Sequence, residues 1–148
     1  ARAVNLAGAM VAIRESLRTL AAPGWGRVIA VSSVAGTKGL KGAAAYSASK
    51  HGVIGLIRSL AQDFAGRGVT FNALCPAYVE TDIIARNVVA IRKRAGVSED
   101  EARQMMVGVN PHGRLIAPDE IAAAALWLCR PGSDSVNGQA IEISGGVL

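Results

Sequence analysis

Aromatic residues, cysteine and histidine are scarce in this sequence. Its 148 residues include two each of tryptophan, tyrosine, phenylalanine, cysteine and histidine. The cysteines, Cys75 and Cys129, form no C-x-x-C pair and lie in apolar runs, which predicts buried free thiols in a reducing cytoplasm rather than a disulfide framework. The histidines, His51 and His112, lie far apart in the sequence without the spacing of metal ligands, so we expect no metal site.

Long apolar segments and dense clusters of one charge are also missing. No apolar run approaches the roughly 18 residues of a membrane span, and the N-terminus lacks the pattern of a signal peptide, so we expect no membrane association. The net charge is +5, but the densest basic cluster, Arg92-Lys93-Arg94, has no aromatic residues interleaved with it. That pattern favours a solvated helix face or a site for anionic substrates over a nucleic-acid interface.

The residues that are abundant are typical of an α/β protein. Hydrophobic residues make up 51% of the chain, 17 residues are glycine, and alanine is frequent. Small residues allow helices to lie close against a sheet, whereas a disordered chain would have low hydrophobicity and high charge. The length is sufficient for one domain with a hydrophobic core. Because the chain opens at Ala1, without a methionine and directly in a helical pattern, we expect it to be a truncated part of a longer protein.

Apolar periodicity and turn residues divide the chain into helices and strands. Helical spacing predicts helices over 4–20, 45–65, 82–94 and 98–107, and from Pro118 to just before Pro131. Pro23 and Gly24 end the first helix, and Ser98 with Glu101 has the spacing of a capping box. Short β-branched runs predict strands over 26–32, 69–75 and 139–143, with residues 33–44 as a loop. This order, α-β-α-β-α-α-α-β, predicts parallel strands joined by right-handed crossovers.

The sharpest local motif is Tyr46-Ser-Ala-Ser-Lys50. Tyr46 and Lys50 are four residues apart, so they share one face of the predicted helix. An ammonium beside a phenol favours the phenolate, and a tyrosine tuned in this way can pass a proton to a carbonyl oxygen or take one from an alcohol. Because Y-x-x-x-K also occurs by chance, an exposed tyrosine on a solvated helix is the alternative.

Residues at strand ends add context to this motif. Ser32 and Ser33 lie at the end of the strand that precedes Tyr46, and the next strand also ends at a distinctive sequence, Cys75 to Thr81. Ligands in open α/β sheets bind outside the carboxyl ends of the strands. The Ser33 hydroxyl is therefore placed to polarise the same carbonyl oxygen, with a helix cap or turn residue as the alternative.

Together these motifs resemble the short-chain dehydrogenase/reductase family, in its simple single-domain branch. The resemblance extends over residues 1–148. It depends on Val4-Asn5-Leu6-x-Gly8, Gly26-Arg27-Val28-Ile29 before Ser32-Ser33, Tyr46-Ser-Ala-Ser-Lys50, Asn72-Ala-x-Cys-Pro76, Val79-Glu80-Thr81, and Val136-Asn137-Gly138-Gln139 with Gly145-Gly146. It implies the C-terminal part of a doubly wound, Rossmann-type α/β domain with a parallel sheet. It also implies an oxidoreductase that transfers hydride between NAD or NADP and a ketone or secondary alcohol.

The resemblance implies roles for four catalytic residues. Tyr46 matches the general acid/base, Lys50 the lysine that tunes it and holds the nicotinamide ribose, and Ser33 the serine that orients the substrate carbonyl. Asn5 matches the asparagine that holds a water in a proton relay behind Lys50. A residue that lies on or bends the helix is the alternative for Asn5.

The resemblance also implies a cofactor-binding loop after the second strand. Pro76, Ala77, Val79 and Thr81 match the loop over the nicotinamide, where the backbone of Val79 and the hydroxyl of Thr81 meet the carboxamide. Thr81 is also a candidate helix N-cap. The family usually has glycine after the strand-end proline, and Ala77 departs from this pattern, a mild change where φ stays negative.

A larger departure concerns the dinucleotide phosphates. The chain contains neither G-x-x-x-G-x-G nor G-x-G-x-x-G, the glycine-rich turns that bind them. In the family these features precede the segment that matches residue 1. The choice between NAD and NADP is made in that same part.

The segment from Ile83 to His112 matches the family's substrate lid, about residues 82–112, with ordinary helix packing as the alternative. Met105, Met106 and Val109 are candidates for an apolar lining. The lid sequence is similar to reductases of 3-oxoacyl thioesters, 3-hydroxybutyrate dehydrogenases and polyketide ketoreductases. The implied partners are a small carbonyl or alcohol substrate, with basic residues near the lid suiting coenzyme A or an acyl-carrier protein, and further copies of the chain in a homotetramer or dimer.

Two other functional classes remain open from the sequence. The first alternative is a gene remnant or an inactive truncated fragment that, without the phosphate site, only docks to other subunits. The second alternative is an epimerase or dehydratase of the extended branch, which also uses Y-x-x-x-K. The short C-terminus after Gly145-Gly146 argues against the second.

Overall fold

The computed structural model describes residues 3–20 and 24–147. The helices are α1 (Gly8–Leu20), α2 (Ala44–Asp63), α3 (Asp82–Ala95), α4 (Glu99–Val107) and α5 (Pro118–Cys129), and the strands are β1 (Gly26–Val31), β2 (Val69–Pro76) and β3 (Ala140–Ile143). The predicted order of helices and strands is confirmed. Every predicted boundary, except the start of the first helix, lies within two residues of the observed one.

Two local predictions were wrong. Residues Ala3–Ala7 form a π-helical turn before α1, so the first helix is not regular from residue 4. Residues Val34–Gly36 form a 3-10 turn inside the predicted loop. The predicted stop at Pro23 lies outside the described residues.

The three strands form a parallel sheet in the order β1-β2-β3. Gly26 is paired with Val69 at the start of β1, and Ala73 with Ala140 at the start of β3. Helix α2 connects β1 to β2, and the α3–α5 segment connects β2 to β3. Because the strands are parallel, their carboxyl ends lie at one edge of the sheet, which brings the residues after β1 and β2 close together.

Alternation along the strands places helices on both faces of this sheet. Phe71, Ala73 and Cys75 of β2 are fully buried in the cluster that includes Ile57 of α2 and Ile13 of α1. On the opposite face, the guanidinium of Arg27 in β1 donates to the carbonyl of Leu128 in α5 at 3.0 Å. The sheet therefore has α1 and α2 on one face and α5 on the other, as in a doubly wound domain.

Helices α3 and α4 pack against each other through a core of their own, formed by Ile84, Val88, Ala102, Met106 and Leu115. The predicted capping box of Ser98 and Glu101 opens α4, with both reciprocal hydrogen bonds present. The proposed lining role of Met106 is wrong, because this side chain is only 1% exposed within the α3–α4 core. Met105 and Val109 are exposed.

The predicted burial of the two cysteines was only partly correct. Cys75 is buried, but Cys129 is of intermediate exposure, and both thiols are free. The apolar stripe of α1 is also largely open: Ile13 is buried, whereas Met10 and Val11 are exposed. Among the described residues, none of the helices has the length and hydrophobicity needed to cross a bilayer.

Candidate active site

Ser33 lies two residues beyond β1 and opens the 3-10 turn. Its Oγ accepts a hydrogen bond from the backbone N–H of Ala35 at 3.1 Å, so the residue is an N-cap, as its alternative interpretation proposed. That contact occupies an oxygen lone pair and leaves the hydroxyl proton free to be donated to another acceptor. The cap holds Ser33 in place without removing its capacity to polarise a carbonyl.

Tyr46 and Lys50 lie in the first two turns of α2, on the face that meets the end of β1. Lys50 Nζ donates to the carbonyl of Val31 at 2.9 Å and lies 5.8 Å from the centroid of the Tyr46 ring. Burial lowers the pKa of the Lys50 ammonium, and the nearby Cys75 acts in the opposite direction. Tyr46 is 38% exposed, so its ring is open to a ligand while the cation beneath it is held by the strand.

A second contact joins α2 to the end of β1. The Ser32 hydroxyl donates to the Lys50 carbonyl at 3.1 Å. Lys50 therefore bonds to this strand end through both its side chain and its backbone. The arrangement fixes α2 against the strand that carries Ser33.

Asn5 lies in the π-helical turn and contacts α2. Its Nδ2 donates to Ser49 Oγ at 3.3 Å, and Ser49 Oγ donates to the Tyr46 carbonyl at 2.7 Å. Single π-helical turns occur frequently at functional sites, where they redirect a side chain. Asn5 is thus connected to the backbone carbonyl of Tyr46 through the Ser49 hydroxyl.

The loop from Pro76 to Thr81 follows β2 at the same edge of the sheet. The N–H of Ala77 donates to the Ile143 carbonyl at 3.0 Å, and Val79 forms an isolated parallel bridge with Ile116. No non-glycine residue of the described chain has a positive φ, so the methyl group of Ala77 adds no backbone strain. Thr81 occupies the N-cap position of α3, but its hydroxyl donates to the Val79 carbonyl at 3.4 Å and forms no cap hydrogen bond.

The similarity of this chain to known proteins identifies its family. A family model described as enoyl-(acyl carrier protein) reductase matches residues 1–148. A 3-oxoacyl-[acyl-carrier-protein] reductase of Aquifex aeolicus (strain VF5) is 35% identical over 98% of this chain. The chain belongs to the short-chain dehydrogenase/reductase family.

Other members of the short-chain dehydrogenase/reductase family support the same assignment. A D-beta-hydroxybutyrate dehydrogenase of Cupriavidus necator is 33% identical over 97% of the chain. A crystal structure of an actinorhodin polyketide ketoreductase variant with NADPH superposes with a TM-score of 0.91 and 36% identity, over 97% of this chain and 56% of that one. The chain spans about half the length of the curated relatives it matches, 54% of the Aquifex protein and 56% of the Cupriavidus protein.

Two residues at this reductase-family site were missed by sequence reasoning. Cys75, at the end of β2, lies beside Ser32, Ser33 and Lys50, and burial raises the pKa of its thiol, which keeps it neutral. Asn110 is buried and binds the backbone of Tyr78 in the loop after β2. Its one signal in the sequence is an amide next to Pro111 in an apolar context, which does not identify a partner 32 residues away. Among the described residues, no group of three histidine, cysteine or acidic side chains could hold a metal ion.

An ion pair stabilises the segment that supports this loop. Arg114 and Glu120 form a bidentate salt bridge, with Nη1–Oε2 and Nη2–Oε1 distances of 2.6 and 2.9 Å. Glu120 also accepts a hydrogen bond from the N–H of Ala117 at 2.8 Å. These hydrogen bonds, chiefly those from Arg114, lower the pKa of Glu120 from 4.5 to about 2.

Replacement of Glu120 by glutamine is expected to lower the melting temperature at neutral pH but to have little effect near pH 2. Because the folded-state pKa lies below 4.5, the ionised carboxylate stabilises the fold fully above that pH, and this contribution is lost as the pH falls toward about 2. The pair is exposed, so we expect a small effect. Thermal melts of wild type and Glu120→Gln between these limits measure it.

Glu99→Gln is the matched control, because Glu99 meets Arg92 through a single exposed contact of 3.3 Å. The control should melt in parallel with wild type across the range. A constant difference between wild type and Glu120→Gln at every pH would contradict the prediction.

Proposed function

We propose that the protein containing this chain reduces a ketone to a secondary alcohol, reversibly, with NADPH or NADH as hydride donor. A 3-oxoacyl thioester or similar β-keto compound is the proposed substrate. The observation that carries the proposal is the junction of α2 with the end of β1, where Lys50 Nζ bonds to Val31 and lies beside the ring of Tyr46. The names of the Aquifex and Cupriavidus relatives, a 3-oxoacyl-[acyl-carrier-protein] reductase and a D-beta-hydroxybutyrate dehydrogenase, support the same reaction class.

In this proposal the side chains supply position and a proton. The Tyr46 hydroxyl donates its proton to the carbonyl oxygen in reduction and takes it back from the alcohol in oxidation. The Lys50 ammonium stabilises the phenolate that forms, and the Ser33 hydroxyl orients and polarises the carbonyl. Asn5 holds a water behind Lys50, through which the proton of Tyr46 is replaced.

The chain fits one end of the dinucleotide. Lys50 provides a donor for the nicotinamide ribose, and the loop of Pro76, Ala77, Val79 and Thr81 offers backbone groups and a hydroxyl for the carboxamide. When bound, the nicotinamide supplies or accepts the hydride. No glycine-rich phosphate turn is present in the sequence, so these residues fit the nicotinamide end alone.

The proposed lid is the α3–α4 segment, about residues 82–112. Its exposed apolar side chains include Ile83, Met105 and Val109. Exposed basic residues at the end of α3, Arg92 to Arg94, add positive charge to the same unit. Apolar and basic surface together suit the acyl chain and the phosphates of an acyl thioester.

The free thiols of Cys75 and Cys129 suit a cytoplasmic location.

The activity is tested on the longest natural form of the protein that contains residues 1–148. Acetoacetyl-CoA with NADPH or NADH should give oxidation of the cofactor at about 1 s⁻¹ or more. Butyryl-CoA, which has the same thioester but no ketone, is the control substrate and should give none. Absence of turnover with both cofactors would refute the proposed reaction.

Titration of the 148-residue chain with NADH and NADPH, followed by fluorescence, shows whether residues 1–148 bind the cofactor by themselves. We expect no binding, because this sequence contains no glycine-rich turn that could bind the phosphate groups of a dinucleotide. Clear binding by the chain would mean that it assembles a cofactor site by another route, with a partner chain, and would contradict our account of the phosphate site.

We also propose that copies of the protein associate through α1 and α2, as a dimer or tetramer. An open apolar groove of about 430 Å³ runs between these helices and is lined by Met10, Val11, Leu17, Leu56 and Leu60 among others. Exposed contiguous apolar surface of this kind marks interaction sites. Val11→Glu should shift the sedimentation profile toward monomer, whereas Thr19→Glu, the same charge on an exposed position of α1 outside the groove, should not. A monomeric wild type at micromolar concentration would contradict the proposal.

A further inference from the structure

Asn110 is a buried amide whose hydrogen bonds all serve the backbone. It lies three residues after the end of α4 and is 1% exposed. Its Oδ1 accepts from the N–H of Tyr78 at 3.2 Å, and its Nδ2 donates to the carbonyls of Tyr78 at 2.9 Å and Arg114 at 2.8 Å. Both amide protons and the oxygen are therefore used, as a buried polar side chain requires.

These bonds hold both backbone polar groups of one residue in the loop after β2. The Tyr78 N–H donates to the Asn110 side chain, and the Tyr78 carbonyl accepts from it. A neighbouring strand would provide the same pair of bonds. The carbonyl of Tyr78 also accepts from the N–H of Ile116 at 2.9 Å, and the Ile116 carbonyl accepts from the N–H of Glu80 at 2.9 Å. The segment 110–116 thus supports the loop over three consecutive residues.

The same contacts close the base of the α3–α4 unit. This unit leaves the loop at Thr81 and returns at Asn110, so its two ends meet where the Asn110 side chain binds Tyr78. Arg103 of α4 also pairs with Glu80, which adds a second link between the lid and the loop. The unit is therefore bonded to the loop on either side of Val79.

We infer that Asn110 is a positioning residue that holds the Pro76–Thr81 loop in place for the nicotinamide and joins this loop to the base of the lid. The inference rests on the proposed function of the loop. It names a residue outside the reacting groups, which acts through the backbone of Tyr78. Without the amide donor, the Arg114 carbonyl would lose the bond from Asn110 and the Tyr78 carbonyl would keep only the bond from Ile116, so the loop would be free to move away from the cofactor.

Asn110→Asp tests this role, because the side chain keeps its shape and loses the amide donor. Asn72→Asp is the matched control: Asn72 is also 1% exposed, and its amide donates to the Val136 carbonyl at 2.7 Å and accepts from the N–H of Gln139 at 3.0 Å, away from the loop. The first readout is amide hydrogen exchange of residues 78–80 in the natural protein. The second is the Kd for NADPH, together with kcat and KM for acetoacetyl-CoA.

Asn110→Asp is expected to speed exchange at residues 78–80 and to raise the Kd for NADPH by about tenfold, the order expected from the loss of a buried hydrogen bond or two. Asn72→Asp should speed exchange around Val136 and leave the NADPH affinity near the wild-type value. If neither aspartate variant folds, Asn110→Ala and Asn72→Ala, which remove the amide without adding a charge, replace them with the same expected contrast.

Equal effects of the two variants on NADPH affinity, or unchanged exchange at residues 78–80 in the Asn110 variant, would overturn the inference. The exchange measurement does not depend on catalysis, so the two proposals fail in different ways. A protein without turnover whose loop exchange still responds to Asn110 would refute the reaction alone. An active protein whose Kd for NADPH is unchanged by Asn110→Asp would refute the positioning role alone.

Discussion

Replacement of Tyr46 by phenylalanine is expected to lower the rate of NADPH-dependent ketone reduction by about a thousandfold or more, while the fold remains intact. The change removes the hydroxyl that donates the proton, and positioned general acids contribute about 10² to 10⁴ in rate. The ring is 38% exposed and lies on the surface of α2, so its loss of one oxygen creates no cavity. The kcat of the natural protein, with circular dichroism and a thermal melt of each variant, measures both parts.

Tyr78→Phe is the matched control for this experiment, because it removes the same atom from the other tyrosine of the chain. Tyr78 is partly buried against the α3–α4 core, and the groups that hold it are on its backbone. We expect the Tyr78 variant to retain most of the activity. Near-full activity of Tyr46→Phe would refute the proposed mechanism, and equal losses in both variants would show that the effect is not specific to the proton donor.

Substitution of alanine for Gly36 is expected to reduce both activity and stability, although only one methyl group is added. The new Cβ would lie 2.6 Å from Ser32 Oγ, 2.9 Å from the Lys50 carbonyl oxygen and 2.9 Å from Ile54 Cδ1. These are the groups that hold α2 against the end of β1, and the carbonyl is backbone that cannot rotate away. The helix and the strand end must therefore separate, which moves Ser33 relative to Tyr46 and Lys50.

We expect Gly36→Ala to lower the free energy of unfolding by about 1–3 kcal/mol, the usual effect of overpacking. A displacement of about 1 Å between reacting groups lowers rates by roughly a hundredfold, so kcat should fall by that order. Gly39→Ala is the control in the same loop, because its added Cβ would meet nothing within 4 Å. Urea unfolding and kcat of both variants test the prediction, and a Gly36 variant as active as the Gly39 variant would contradict it.

Much of the fold follows from local sequence pattern. The spacing of apolar residues predicts each helix and strand of the described chain to within two residues, apart from the start of the first helix, because repeats of 3.6 and 2.0 residues are properties of neighbouring positions. The proximity of Tyr46 to Lys50 also follows locally, since residues four apart share a helix face. The proximity of Ser33 to Cys75, near the end of β2, follows from the rule that parallel strands end at one edge.

The burial of particular side chains is less predictable from spacing. Met105 and Met106 are adjacent in the sequence and both fit an apolar lining, yet Met106 is buried in the α3–α4 core and Met105 is exposed. The stripe along α1 has helical periodicity, but Met10 and Val11 are exposed. Periodicity identifies the apolar face of a helix, and only the packed neighbours determine how much of that face is covered.

The sequence by itself determined the α/β order, the family and the identity of the residues proposed to react, because each depends on spacing along the chain. The tertiary structure alone decided how those residues are held: the Lys50–Val31 bond, the close approach at Gly36, the π-helical turn that carries Asn5 and the bonds from Asn110 to Tyr78. These contacts join positions that are remote in sequence, 19 residues apart for Lys50 and Val31 and 32 for Asn110 and Tyr78. A hydrogen bond between remote residues depends on distance and angle after packing, and neither is encoded in the periodicity of either segment.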